Sequence, residues 1–233
     1  VLGMMATMNV KEKLKLSVDE IDALTGPIIG RPKSATFRTG DVVGLDTLVK
    51  VAKGVADNCP HDEAKEQFNI PAWLDKMIAN NWLGDKTGQG FFKKMPPSPK
   101  GEKEIHTLDL ESMEYKPRVK PKFATLEAAK PIDDLYTRLK MLVAGQDKAG
   151  EFYRLFHYGL FSYISHRIPE ISDEIYRVDD AMMAGFGWEI VAFESWDVLG
   201  VAKTTEAMKA AGYKVAPWVD EMLNKGIKSF YKV

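Results

Sequence analysis

The chain has little of what usually announces a function. A single cysteine, Cys59, among 233 residues leaves no partner for an internal disulfide. That usage fits a reducing compartment better than a secreted, cross-linked scaffold, and the cytoplasm is the expected location. The 32 basic and 33 acidic side chains nearly cancel to a net charge of −1, so bulk charge does not suggest a nucleic-acid partner. Apolar runs fall well short of the roughly 20 residues that a membrane-spanning helix needs, and the first residues do not form a signal segment, so no membrane partner is expected. Only four histidines are present, and none stands in an H-E-x-x-H pattern or beside paired cysteines; no metal site is expected. His166 and Glu170 could pose as an acid-base pair, but Pro169 breaks the helical turn that would set their geometry. No catalytic residue is assigned. The Gly-rich strand-to-helix turn that cradles a dinucleotide is also lacking, since Gly88-Gln89-Gly90 and Gly185-Phe186-Gly187 stand in the wrong setting and read as turns.

What is present is ample core material, with 45% hydrophobic residues, and an internal repeat. Phe37, Asp41 and Gly44 recur at the same spacing as Phe193, Asp197 and Gly200. Upstream, Ile21-Asp22-Ala23 resembles Val178-Asp179-Asp180-Ala181, with Gly30 or Pro32 falling near Gly185 and Gly187. Downstream, Pro71-Ala72-Trp73 parallels Pro217-Trp218, although 29 residues separate Gly44 from Trp73 and 18 separate Gly200 from Trp218. At i, i+4 and i+7 the Phe, Asp and Gly would share one helix face, the glycine letting a neighbour approach closely.

Ser17-Val18-Asp19-Glu20 is a capping box, and Pro71 and Pro217 suit helix starts. Phe152, Leu155, Phe156, Leu160, Tyr163 and Ile164 recur at helical spacing and predict a buried stripe. The expected fold is all-α: a first helical unit over residues 1–92, a linker over 93–130, and a second, degenerate unit over 131–233, the two packing on each other. Within the linker, Glu104–Leu110 alternates and is expected to pair with Met113-Glu114-Tyr115 as a small β hairpin. Met95–Gly101 reads as Pro-rich connection. The basic, Pro-containing stretch from Lys116 to Lys122 suits either a phosphate or a solvated linker.

Arg31-Pro32-Lys33-Ser34-Ala35-Thr36-Phe37 followed by Asp41-Val42-Val43-Gly44-Leu45-Asp46 resembles the start of the C-terminal domain of 3-hydroxyacyl-CoA dehydrogenases, where a G-x-P-x-G-P-F loop leads into a D-x-x-G-L-D helix. Gly84-Asp85-Lys86-Thr87-Gly88-Gln89-Gly90-Phe91-Phe92 is similar to that family's closing motif. The second unit resembles the degenerate copy of fused, multidomain members. The resemblance implies a parent enzyme that oxidises 3-hydroxyacyl-CoA in fatty-acid β-oxidation, with NAD and the catalytic groups held by a Rossmann domain of the same parent chain. The opening Val1-Leu2-Gly3-Met4-Met5, which reads as the middle of an apolar helix, suits a piece of something longer. The resemblance further implies an acyl-CoA substrate facing Pro32, Ser34, Thr36 and Phe37, with Lys33 or Arg31 approaching phosphate. The residues themselves leave another reading open, in which Thr36 or Ser34 caps the following helix and Phe37 is core. A non-catalytic helical scaffold or dimerisation module is the alternative function.

Overall fold

The computed structural model describes residues 1–97 and 103–232; part of the Pro-rich connection, residues 98–102, lies outside the described residues. The chain divides into two compact units, one formed by Val1–Gly26 with Lys33–Lys122, the other by Pro27–Pro32 with Phe123–Val233. The stretch 93–130 is thus shared between them rather than standing apart.

Among the described residues the first unit contains five α-helices, α1 (Leu2–Leu14), α2 (Val18–Leu24), α3 (Phe37–Val43), α4 (Leu45–Asn58) and α5 (Ala72–Ala79). The capping box forms at α2: Ser17 Oγ accepts from the Glu20 amide (3.2 Å) while the Glu20 carboxylate accepts from the Ser17 amide (2.7 Å). In α4, Leu45, Leu48, Val49 and Ala52 are buried, the i, i+3, i+4, i+7 stripe that turns one face to the core. Three antiparallel strands follow in the order β1 (Phe92–Lys94), β2 (Ile105–Asp109), β3 (Glu114–Pro117), with Phe92 opposite Thr107 and Asp109 opposite Glu114. The expected hairpin is therefore β2–β3, and β1 adds a strand that the Pro-rich run had concealed. Its turn is held by the Asp109 carboxylate, which accepts from the amides of Glu111 (3.0 Å) and Ser112 (3.2 Å).

The second unit contains α6 (Ala124–Ala129), α7 (Leu135–Ala144), α8 (Lys148–His166), α9 (Ile175–Phe186), α10 (Ala192–Leu199), α11 (Val201–Ala210) and α12 (Pro217–Asn224). Asp147 caps α8 through the Gly150 amide (3.1 Å) and also ties down the Thr125 hydroxyl (2.7 Å). The buried face of α8 is broader than the predicted stripe: Tyr153, His157, Phe161 and Ser165 join Phe152, Phe156 and Ile164, whereas Leu155, Leu160 and Tyr163 are half-buried. The segment Pro27–Pro32 belongs here because Arg138 Nε donates to the Ile28 carbonyl (2.8 Å) and the Glu189 amide donates to the Gly30 carbonyl (2.8 Å).

Both units are closed by one device, used twice. In the first, the Asp22 carboxylate accepts from the amides of Thr36 (3.2 Å), Phe37 (2.6 Å) and Arg38 (3.0 Å), capping α3 from a neighbouring helix. In the second, Asp179 accepts from the amides of Phe193 and Glu194, both at 3.0 Å. Asp41 then accepts from the amides of Phe91 (2.8 Å) and Phe92 (2.9 Å), and Asp197 from those of Phe230 (2.7 Å) and Tyr231 (2.9 Å). The rings over each closure also match. Phe37 packs on Phe91 at 4.5 Å and on Trp73 at 6.5 Å, with Trp73 to Phe91 at 5.8 Å; Phe193 packs on Phe230 at 5.1 Å and on Trp218 at 6.2 Å, with Trp218 to Phe230 at 5.8 Å.

The glycine shared by the repeats acts differently from the helix-face role expected of it. Gly44 (φ 97°) and Gly200 (φ 86°) end α3 and α10 and start α4 and α11, a left-handed corner that a side chain resists. Gly90 is needed for close approach instead: a side-chain carbon built there would overlap the Asp41 carboxylate.

Candidate functional site

An open cleft of about 900 Å³ lies on the first unit. Three segments supply its cations: Lys33 and Arg38 flank the start of α3, Lys93 and Lys94 come from β1, and Arg118 and Lys120 follow β3. Asp19, Asp22 and Asp85 are the acids in the lining, with Phe92, Ile105, Val119 and Pro121 among its apolar surface. The two aspartates of α2 build the walls. Asp19, buried, accepts from Arg118 Nε (2.9 Å), the Val119 amide (3.1 Å) and the Thr107 hydroxyl (3.0 Å), so it fixes the chain leaving the sheet. Asp22, one helical turn on, holds the start of α3. Burial pushes its carboxyl up to about 7, against the pull of three amides and the Arg118 guanidinium. Asp85 forms a bidentate pair with Arg38 at 2.6 and 2.8 Å, which raises the guanidinium and lowers the carboxyl.

The residues singled out from sequence scatter around this cleft. Lys33 lines it, and so does part of the Lys116–Lys122 stretch through Arg118, Lys120 and Pro121. Pro32 is exposed and belongs to the second unit's segment. Ser34 is half-buried and accepts a hydrogen bond from the Thr39 hydroxyl (2.8 Å). Thr36 is buried, with its hydroxyl donating to Thr25 Oγ1 (2.9 Å), and Phe37 is wholly enclosed by the core. Neither Thr36 nor Ser34 caps α3; Asp22 does. Arg31 is turned inward, its guanidinium 3.6 Å from the centre of the Trp188 ring and 4.6 Å from that of Phe156. Desolvation there lowers it to about 9.

Sequence reasoning saw Asp22 and Asp179 only as repeat markers and missed their work as helix caps. It also missed the closing segment of the second unit. The signal was available, because Lys225 precedes Phe230-Tyr231-Lys232 at the spacing with which Lys86 precedes Phe91-Phe92-Lys93.

The histidines form no acid-base site. His166 Nδ1 lies 2.8 Å from the Ser162 carbonyl, and Glu170 pairs with Arg167 at 3.2 Å. Buried His157 donates from Nδ1 to the Tyr153 carbonyl (2.7 Å), and desolvation lowers it to about 4, so it is neutral at physiological pH. No group of three His, Cys, Asp or Glu among the described residues could hold a metal ion. A nicotinamide dinucleotide does not fit the residues present. Gly88-Gln89-Gly90 precedes a strand and closes on Asp41, while Gly185 and Gly187 sit at the end of α9, and neither pair opens a helix.

With this geometry in place, the first unit can be compared with known proteins. Residues 3–94 match the 3-hydroxyacyl-CoA dehydrogenase, C-terminal domain. The match lies within the N-terminal part of the chain, through all the helices of the first unit. The match takes in α1 to α5 and the closing strand β1, including both aspartate closures. Over 229 residues, 98% of its length, the chain is 42% identical to a "Probable 3-hydroxyacyl-CoA dehydrogenase" of Bacillus subtilis (strain 168), of which it covers 28%. A protein of the same name from Deinococcus radiodurans is 44% identical over 94 residues, 40% of this chain and 26% of that protein. A Rickettsia felis protein named as a fatty acid oxidation complex trifunctional enzyme is 24% identical over 182 residues, 77% of this chain and 23% of that protein. The chain thus spans about a quarter of the length of the curated relatives it matches. No helix among the described residues is long and apolar enough to cross a membrane.

Proposed function

We propose that the chain is the helical, substrate-side part of a 3-hydroxyacyl-CoA dehydrogenase acting in fatty-acid oxidation. The observation that carries this reading is the family match over residues 3–94, which includes the loop before α3 and the closing Gly-rich motif. A Rossmann domain of the same longer polypeptide supplies the NAD site and the groups that remove the proton and hydride. The helical part supplies a rigid wall. In that wall Pro32 and Ser34 keep accessible surface for the acyl-CoA, while Thr36 and Phe37 hold the loop from within. The second unit repeats the aspartate closures of the first through Asp179 and Asp197. The protein works in the cytoplasm.

The test is NADH oxidation with acetoacetyl-CoA, comparing this chain alone with a longer polypeptide that carries it behind a dinucleotide-binding domain. Turnover only in the longer protein is expected. Turnover by the chain alone would move the active site into it, and silence from both would favour a helical scaffold.

A further inference from the structure

The second unit owns a piece of chain that lies early in the sequence. Pro27–Pro32, between α2 and α3, belongs to it, and the segment is built in rather than laid on. Ile29 is buried, and the Ile28 and Gly30 carbonyls are taken by Arg138 and by the Glu189 amide. Gly30 leaves no room for a side chain, since a carbon added there would stand 2.6 Å from Leu135 Cδ2 and 3.0 Å from Glu189 Cβ. Arg31 completes the attachment. Its guanidinium lies against the Trp188 and Phe156 rings, and each ring is backed by another, Trp188 by Phe186 at 5.6 Å and Phe156 by Phe152 at 5.8 Å. No carboxylate among the described residues pairs with Arg31, so stacking on its flat faces fixes its place.

Between this clamp and α3 the chain has little freedom. Pro32 locks its own φ and restricts the backbone of Arg31 before it, so the orientation of the clamp passes into the residues that follow. Downstream, the Asp22 carboxylate holds the amides of Thr36, Phe37 and Arg38. Lys33, Ser34 and Ala35 are all that separates the two anchors. Ala35 adopts a left-handed backbone there (φ 50°), a conformation that a residue with a side chain keeps where its surroundings impose it. A loop strained in this way and pinned at both ends changes course if either pin is lost.

We propose that Arg31 is a positioning residue for the acyl-CoA loop: its clamp on Trp188 and Phe156 sets the path of Lys33–Ala35, and with it the surface that Pro32 and Ser34 present to the substrate. The proposal rests on the acyl-CoA reading and deepens it, because it gives the second unit a part in substrate binding.

Two measurements test it. In the longer polypeptide that carries a dinucleotide-binding domain, Arg31→Lys and Trp188→Leu should each raise the KM for acetoacetyl-CoA roughly tenfold and leave kcat within about twofold. Trp188→Phe keeps a ring over the guanidinium and should stay near wild type. A merely structural role would not give that split, since a smaller folded fraction lowers the apparent kcat and leaves KM alone. Phe230→Leu, which loosens the second closure, should show that other pattern, a lower melting temperature with KM unmoved. In the 233-residue chain, hydrogen exchange of the amides from Lys33 to Arg38 should quicken severalfold in Arg31→Lys and Trp188→Leu relative to those of α4. Thermal melts establish that each variant is folded. Unchanged exchange, or turnover whose KM ignores both substitutions, would overturn the proposal. Quickened exchange while the wild-type longer polypeptide stays inactive would sink the dehydrogenase reading, and with it the substrate named here, and leave Arg31 as the anchor of the loop.

Discussion

Asp41 offers a sharp test of the closure, because it is 1% exposed and spends its carboxylate on two amides that are themselves buried. Asp41→Ala removes the acceptor and leaves the Phe91 and Phe92 donors without partners. Each orphaned buried donor costs about 1 to 3 kcal/mol, so roughly 2 to 6 kcal/mol of stability is at risk. A second effect opposes this one. Burial pushes Asp41 up to about 6 from the ordinary 3.8, so between those values the folded chain holds a proton that the unfolded chain has released. Native stability therefore falls as pH rises through that window, by roughly 3 kcal/mol for a shift of about two pH units. The alanine variant does not suffer this loss. The substitution should accordingly cost more at pH 4.5 than at pH 7.5, by on the order of 1 to 3 kcal/mol. Urea denaturation of wild type and variant at both pH values, followed by tryptophan fluorescence, measures it. A variant as stable as wild type at pH 4.5, or one that suffers more at neutral pH, would refute the account.

Gly90→Ala should destabilise by roughly 1 to 3 kcal/mol through overlap with the Asp41 carboxylate, whereas Ser229→Ala, just before Phe230 in the second closure, should change stability by less than about 1 kcal/mol; both are read by the same denaturation curves. Arg31→Lys should cost about 1 to 2 kcal/mol and alter Trp188 emission, since an ammonium cannot stack between two rings as a planar guanidinium does; unchanged emission and stability would contradict the sandwich. Proton NMR should show the His157 ring neutral down to near pH 5. Because burial lowers the His157 value, its contribution to stability is present above the unfolded value of 6.5 and is lost as pH falls towards 4.

The features legible in the sequence were those carried by residue type at fixed spacing. The Ser17–Glu20 capping box, the apolar face of α4 and the β2–β3 hairpin are local patterns, and each side chain does in the structure what its neighbours in sequence imply. The repeat was visible as Phe, Asp and Gly in register, but its meaning was not, since Asp22 serves amides 14 to 16 residues away and Asp41 serves amides 50 and 51 away. Strand β1 was hidden because its partner lies across a Pro-rich run. The cleft was half legible: Lys33 and the stretch from Lys116 had each suggested phosphate, yet only Asp19, which bonds both Thr107 and Arg118, shows why the far stretch comes back to α2. Arg31 misled for a related reason. A charged residue in a loop reads as available, and nothing nearby in sequence reveals that Trp188 and Phe156 receive it.

The spacing of the two closures has a consequence for the order in which the chain assembles. Asp41 cannot be answered until the chain 50 residues further on has been made, whereas Asp197 waits for only 33. Closing the longer loop costs about 0.4 kcal/mol more chain entropy, from the logarithm of the ratio of the two lengths. The N-terminal member of the pair is therefore begun first during synthesis, yet on refolding from denaturant the C-terminal member has the shorter search and locks earlier.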